Sequence, residues 1–462
     1  MLDLFVRESS ADMRPIFVVG EDGFEAWKSD LPPHQSAWVD NVSFKGGMGD
    51  VAYLPGDDGA VVAAAVGTGN GDEPFAAGTI ARKLPDGVWQ FDPTLPVDAL
   101  AHACLSYALH GYRFGRYKEE QEIKGKLFLP AAIADQVSSI AEGAYLARDL
   151  INTPPNDMGP EELEAAALAL AKTHSAEASV IRDQELLDQE FTLIYTVGQA
   201  SSRRPRLIDF SWGREDAPKV TLVGKGVCFD SGGLDLKPSS GMAIMKKDMG
   251  GAANVLGLAS MIMANKLDMR LRVLVPAVEN SVGSNAFRTS DVYTSKKGLT
   301  VEIGNTDAEG RLILADALAI ADEENPDLLI DMATLTGAAR SALGPDVPPF
   351  YTNDDALADE IARHSETAND PLWRMPLVPT YDKWLDSSTA NLSSTASLGM
   401  GGSITAALFL KRFVTKTSAY VHFDIYGWTN RPRAGKPLGG EAHGIRALFS
   451  LLSERYGASA ES

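Results

Sequence analysis

The stretch Asn305-Thr-Asp-Ala-Glu-Gly-Arg-Leu spaces Asn305, Asp307, Glu309 and Arg311 two residues apart. On an extended backbone all four side chains turn to one side. Upstream, Gly224-Lys-Gly-Val-Cys-Phe-Asp-Ser-Gly-Gly carries Lys225 and Asp230, Lys237 precedes Pro238, and Asp248 stands just ahead of Gly250 and Gly251. Carboxylates outside helix interiors supply the hard oxygen ligands that a pair of divalent cations needs. A dinuclear site built from Asp230, Asp248, Asp307 and Glu309 is the sharp expectation. Each residue also has an ordinary structural role open to it. Asp248 could cap the helical run Ala252 to Ala264, worth about 1 kcal/mol. Thr306-Asp-Ala-Glu309 fits a capping box, which outweighs chemistry for that stretch taken alone. Lys225 and Lys237 could be solvated surface charges. Those roles leave unexplained the gathering of four acids, two lysines and an arginine beside glycine-rich, apolar segments, where burial without cations would be prohibitive.

Such residues need elements to hold them, and hydrophobic spacing supplies candidates. Val220-Thr-Leu-Val reads as a strand delivering Lys225 and Asp230 to the loop at its C-terminal end, where open α/β sheets bind ligands. Thr300 to Ile303 reads as another, feeding the Asn305 loop and a helix through Ala321. With Ala178 to Ile181, Leu271 to Val275, Asp327 to Met332 and Ala419 to Ile425 they alternate with helical runs, which predicts a mostly parallel central sheet flanked by helices. Ahead of these, strands over Arg14 to Val19 and Gly59 to Val66 and a helix over Val97 to Tyr107 predict a smaller N-terminal α/β domain. Gly67-Thr-Gly-Asn-Gly has neither dinucleotide nor Walker spacing and reads as a plain turn. A helix from Gln136 to Leu150 ends at Asn152-Thr-Pro-Pro-Asn-Asp, where two prolines force extended backbone. The expected architecture is α/β with two domains, residues 1–140 and a larger catalytic domain over residues 141–462.

A chain of 462 residues is too long for one ordinary core. Its 42 basic and 62 acidic residues leave a charge of -20, which repels phosphate backbones and anionic lipid and makes nucleic-acid binding unfavourable. The longest basic cluster, Arg203, Arg204 and Arg206, reads as a solvated loop. No apolar run suits a bilayer crossing, and the N-terminus lacks the basic start and apolar stretch of a secretion signal. Cys104 and Cys228 can build neither a disulfide framework nor a paired-cysteine zinc site, so a cytoplasmic location is expected. The seven histidines form no HExxH spacing; His422, in a strand-like run, is expected as a hydrogen-bonded interior residue. The acidic tail from Ala458 is expected to fray.

Five motifs in one order give the chain a resemblance to the leucyl aminopeptidase family, also called cytosol aminopeptidases. They are Asn152-Thr-Pro-Pro-Asn-Asp, Val223-Gly-Lys-Gly-Val-Cys-Phe-Asp-Ser-Gly-Gly, Lys247-Asp-Met-Gly-Gly-Ala-Ala, Asn305-Thr-Asp-Ala-Glu-Gly-Arg-Leu and Ala333-Thr-Leu-Thr-Gly. The likeness covers about Ala141 to Leu452. By that resemblance Lys225, Asp230, Asp248 and Glu309 would hold a tighter metal and Asp230, Asp307 and Glu309 a more exchangeable one, zinc or manganese. Lys237 would stabilise the oxyanion, and Arg311, with backbone groups of Gly310 and Leu335, would hold a bicarbonate general base. Met245, Asn305, Thr334 and Gly337 would line the pocket for peptides with a free N-terminus, in a homohexamer. Two departures stand near the expected pocket mouth: Asn391, where an acidic residue is common, and the arginine- and proline-rich Gly427 to Gly440. Two other readings compete, a dinuclear phosphoesterase, since metal pairs also serve phosphoryl displacement, and an accessory DNA-binding role known in some members of that family.

Overall fold

The computed structural model describes residues 2–10, 12–119 and 122–457, so the tail expected to fray lies outside the described residues. The chain divides into two compact units, Met1–Tyr145 with Arg431–Leu438, and Leu146–Asn430 with Gly439–Ser462. The division falls inside the helix Ala131–Asn152, which stops at the expected prolines.

The first unit carries a six-stranded sheet in the order Phe5–Val6, Gly125–Phe128, Gly87–Phe91, Arg14–Val19, Val61–Gly67 and Val51–Pro55. Its pairings are parallel except the last, which is antiparallel. Ala63 to Gly67 are buried in succession, the pattern of a strand covered on both faces. The helix Val97–Gly111 packs on the sheet through Ala103, Cys104, Tyr107 and Ala108. After Gly67 the chain makes the plain turn its spacing suggests.

In the second unit the main sheet runs Trp373–Arg374, Pro349–Tyr351, Tyr420–Asp424, Leu328–Ala333, Lys219–Gly224, Arg270–Asn280, Arg206–Trp212 and Glu177–Arg182, and Gly226–Asp230 also pairs with Arg270–Asn280. The four central strands from Tyr420–Asp424 to Arg270–Asn280 are parallel; antiparallel pairs stand toward both edges. Leu328–Ala333 is buried at every position, as a strand flanked by helices on both faces requires. The helix Gly250–Ala264 is apolar nearly all round and buried to match, and Glu309–Glu323 is likewise enclosed. Among the described residues no helix is long and apolar enough to cross a membrane.

One expected strand goes elsewhere. Thr300–Glu302 is not in the main sheet but in a small sheet between Val292–Thr294 and Leu392–Ser393. Only Val301 is buried there, between half-buried Thr300 and Glu302, so the run has one apolar face and cannot fill a two-sided sheet interior. Asn391, just ahead of Leu392–Ser393, is tied to this small sheet: its Oδ1 accepts from the Thr300 backbone N–H and hydroxyl, each at 2.8 Å. The arginine cluster also differs from a solvated loop. Arg206 is 5% exposed and donates to Glu164 and Glu161, while Arg203 donates to Glu162.

Candidate active site

Two strand ends and two helix starts converge on a cavity of about 430 Å³. The strand Lys219–Gly224 hands over directly to Lys225, whose backbone N–H bonds to Met332 O on the neighbouring strand. Gly226–Asp230 then carries Asp230 to its own C-terminal end. Asp248 lies in the 3-10 helix Met245–Met249, one turn before Gly250–Ala264. Two glycines permit this closeness. A Cβ at Gly251 would stand 2.1 Å from Met332 O, and one at Gly310 would stand 2.5 Å from Lys225 Cε.

The segment around Asp307 is not extended. It turns at Thr306 and Asp307, and Glu309 opens the helix Glu309–Glu323, so Arg311 sits in the first helical turn. The spacing of two is therefore a loop-to-helix junction. The capping box is absent too: the N-cap is Ala308, and Thr306 Oγ1 instead donates to Gly232 O at 2.7 Å. Asp248 is no cap either, since Met249 holds that position without a side-chain bond. What fixes the loop is a clamp that spacing does not reveal. Asp235 Oδ2 accepts from Thr306 N at 2.7 Å, and Asn280 Nδ2 donates to Asp230 Oδ1 at 2.8 Å and Thr306 O at 3.0 Å.

The residues expected to hold metal, catalyse or bind substrate and anion all line this one cavity: Lys225, Asp230, Lys237, Met245, Asp248, Asn305, Asp307, Glu309, Gly310, Arg311, Thr334, Leu335 and Gly337. Asp230, Asp307 and Glu309 each offer an oxygen, all within 4.8 Å of one another. Lys225 Nζ lies 2.8 Å from Asp248 Oδ2 and 3.0 Å from Glu309 Oε1, and donates to Thr334 O at 3.0 Å. Lys237 Nζ lies 2.7 Å from Asp230 Oδ2 and also pairs with Asp307.

Four carboxylates thus share two ammoniums, and the imbalance shows in their acidities. Burial, reinforced by Asp230, pushes Glu309 up to about 8. Burial also lifts Asp230 to about 6, with Asp248 adding to the rise. For Asp248 burial acts upward, but Lys225 and Lys247 outweigh it and hold the group below the usual range. Both lysines sit above their ordinary value: burial opposes the charge, and the surrounding acids overcome it. Glu309 Oε2 is buried without any hydrogen-bond partner. Asp248 Oδ2 is within ion-pair range of Lys225 yet outside hydrogen-bond geometry. Buried oxygens left open beside an excess of negative charge are the donor set a pair of hard cations fits. A lysine can join that set only as a neutral amine, and neighbouring dications provide the field that removes its proton.

Arg311 is 9% exposed, donates Nη1 to Ser394 O at 2.7 Å, and keeps a buried Nε with no partner. Burial draws it down to about 10 against the pull of Glu309 and Asp424. Its open guanidinium edge suits a planar anion. The Leu335 N–H does not face such an anion, since it donates to Asp424 Oδ1 at 3.0 Å. Asp424 also accepts from Thr336 N and Thr336 Oγ1, and so holds the loop that carries Leu335 to Gly337.

Sequence reasoning did not single out Lys247, Thr336, Arg340, Thr395 or Gly402, which line the same cavity. His422 is interior as expected, with Nδ1 2.7 Å from Asp331 Oδ1.

Residues 145–449 match the cytosol aminopeptidase family, catalytic domain, and residues 14–130 match the M17 aminopeptidase N-terminal domain. A probable cytosol aminopeptidase of Chlamydia trachomatis serovar L2 is 42% identical over 323 residues, 68% of this chain and 64% of that protein. The match thus spans a little under two thirds of that relative's length. One of Rhodopseudomonas palustris strain TIE-1 is 37% identical over 432 residues, 89% of this chain and 84% of that one. Among solved structures, a cytosol aminopeptidase from Coxiella burnetii superposes with a TM-score of 0.95 at 44% identity, covering 98% of this chain and 100% of that one. The bottromycin maturation enzyme BotP in complex with Mn gives 0.86 at 31% identity, covering 96% and 100%. With family-wide likeness across both regions and a shared fold at these identities, the chain belongs to the cytosol aminopeptidase family.

Proposed function

We propose that this chain is a cytoplasmic metallo-aminopeptidase that removes the first residue of peptides and works as a homohexamer. The supporting observation is the acidic cluster itself: Asp230, Asp307 and Glu309 present oxygens within 4.8 Å of one another, with Glu309 Oε2 open and buried. In this reading Lys225, Asp230, Asp248 and Glu309 hold one divalent ion, and Asp230, Asp307 and Glu309 hold a second, zinc or manganese. When bound, two such ions polarise a scissile carbonyl and lower the pKa of water enough to give a nucleophile near neutral pH. The protein's own groups do the rest. Only a peptide's first nitrogen enters so acidic a recess, which restricts cleavage to the N-terminus. Lys237, whose ammonium already reaches Asp230 and Asp307, donates to the oxyanion that develops on the carbonyl. Arg311 and the backbone of Gly310 hold bicarbonate, a general base for the attacking water, and Leu335 lines the same recess. Met245, Asn305, Thr334 and Gly337 receive the first side chain.

The test is hydrolysis of leucine amide, N-acetyl-leucine amide and a phosphate monoester by protein stripped of metal and reloaded with zinc, manganese or cobalt. Turnover of the free-amine substrate alone, restored by metal, is the expected result. Equal cleavage of the acetylated substrate, or turnover of the phosphoester in preference to the amide, overturns it.

A further inference from the structure

Two cations in the cavity have no part in the scheme above. Lys247 is 1% exposed and lies between the cavity residues Met245 and Asp248. Its Nζ stands 5.2 Å from the centroid of the Tyr426 ring. Arg340, from the helix Gly337–Leu343, places its Cζ 4.9 Å from that same centroid and donates one N–H to Thr336 O at 3.2 Å. Among the described residues neither forms an ion pair. Burial draws the Lys247 ammonium down to about 8, against the pull of Asp248, which lies beyond ion-pair distance, and of Asp424, whose oxygens are taken by Leu335 N, Thr336 N and Thr336 Oγ1.

A buried cationic group without a carboxylate is costly to keep in an enzyme core. Here an aromatic ring fixes both groups in place, a contact that favours the cations without consuming their hydrogen-bond donors. Arg340 retains most of its planar fork and stays charged at any physiological pH. Lys247 adds a donor in either protonation state. We propose that Lys247 and Arg340 form a subsite that binds a carboxylate of the peptide substrate. This rests on the aminopeptidase reading and adds a substrate class to it: peptides carrying an acidic group close to the bond that is cut. The carboxylate can come from the first side chain, the second side chain or the free C-terminus of a dipeptide, and substrate pairs distinguish these sources.

The experiment measures kcat/KM on metal-loaded enzyme for glutamate α-amide against glutamine amide, Leu-Glu-amide against Leu-Gln-amide, and Leu-Leu against Leu-Leu-amide. One pair is expected to favour its carboxylate member by about tenfold, the scale of one charge-assisted contact. Arg340→Gln is expected to bring that ratio to within about twofold, and Lys247→Met to lower it in the same direction. Raising the salt concentration should also shrink the ratio in the unmodified enzyme. No preference in any pair, or an equal fall of both members in Arg340→Gln, overturns the subsite while leaving the aminopeptidase reading intact. Failure to cleave any of the six substrates would instead remove the reading on which it stands.

Discussion

Two ionic clusters in the second unit are built from the same chemical groups and behave in opposite ways. In one, Arg182 and Arg206, paired in register on adjacent strands, meet Glu161 and Glu164 from the helix Pro160–Thr173. Two acids face two guanidiniums. Burial alone would raise Glu164, yet hydrogen bonds from Arg182 and Arg206 overcome it and hold the carboxyl below its ordinary range. In the other, Asp230, Asp248, Asp307 and Glu309 share Lys225 and Lys237, and burial carries Glu309 up to about 8. Both clusters bring acids together with bases. Only the second leaves negative charge in excess and an oxygen with no partner. Balance suits a cluster that serves the fold, and imbalance suits the proposed cation site.

The strongest way to break this comparison is to remove an unbalanced acid. Asp307→Ala and Glu309→Gln are expected to lower kcat/KM by about a thousandfold or more and to reduce metal content measured by mass spectrometry. The metal-free Tm of Glu309→Gln should hold or rise. The sign follows from linkage: a carboxyl held at about 8 in the folded state binds its proton more tightly there than when unfolded, so ionisation removes stability as pH climbs from about 4.5 to 8. Full turnover in Asp307→Ala would end the metal-site reading. Lys237→Ala comes next, with metal retained and activity down by about 10²–10³. A parallel loss of metal would make Lys237 a structural counter-ion. Arg311→Ala should cost about a hundredfold in bicarbonate buffer and much less without it. Equal losses in the two buffers would argue against an anion base.

In the balanced cluster the expectation reverses. Glu164→Gln should leave kcat/KM near the unmodified value but lower stability by about 3 kcal/mol, because Arg206 loses one of its two acids while remaining buried. Chemical denaturation of the metal-free protein measures it. A change below about 0.5 kcal/mol would show that Glu161 alone satisfies Arg206.

Much of the catalytic unit could be read before any coordinates, and the reason is local. Strand, glycine-rich loop and helix start follow one another around Lys225, Asp230 and Asp248, so the motifs that carry the proposed ligands are contiguous in the chain. What stayed hidden depends on distant partners. Lys247 and Arg340 meet only through Tyr426, far along the sequence, whose ring both approach. The arginines near Pro205 looked solvated because their acids lie on a preceding helix. The Asn305 to Arg311 segment misled for a different reason. The helix that follows it is buried almost all round, so it shows no polar face to mark where helical periodicity begins. Thr300–Glu302 likewise has strand residues, but nothing in a three-residue run states which sheet it joins.

A third buried pair provides the finest test of the balance argument. His422 Nδ1 and Asp331 Oδ1 are 2.7 Å apart, and Tyr420 donates its hydroxyl to Asp331 Oδ2 at 2.7 Å. Burial works to lower the His422 pKa, but Asp331 outweighs it and the folded value lies above the ordinary one. A raised histidine contributes stability that is fully present below about pH 6.5 and is lost as pH rises through the folded pKa. Over that window the Tm of the unmodified protein should therefore fall further than that of His422→Gln, by on the order of a degree or two. Parallel profiles would mean that the imidazole stays neutral in the fold, meeting Asp331 through its Nδ1–H tautomer.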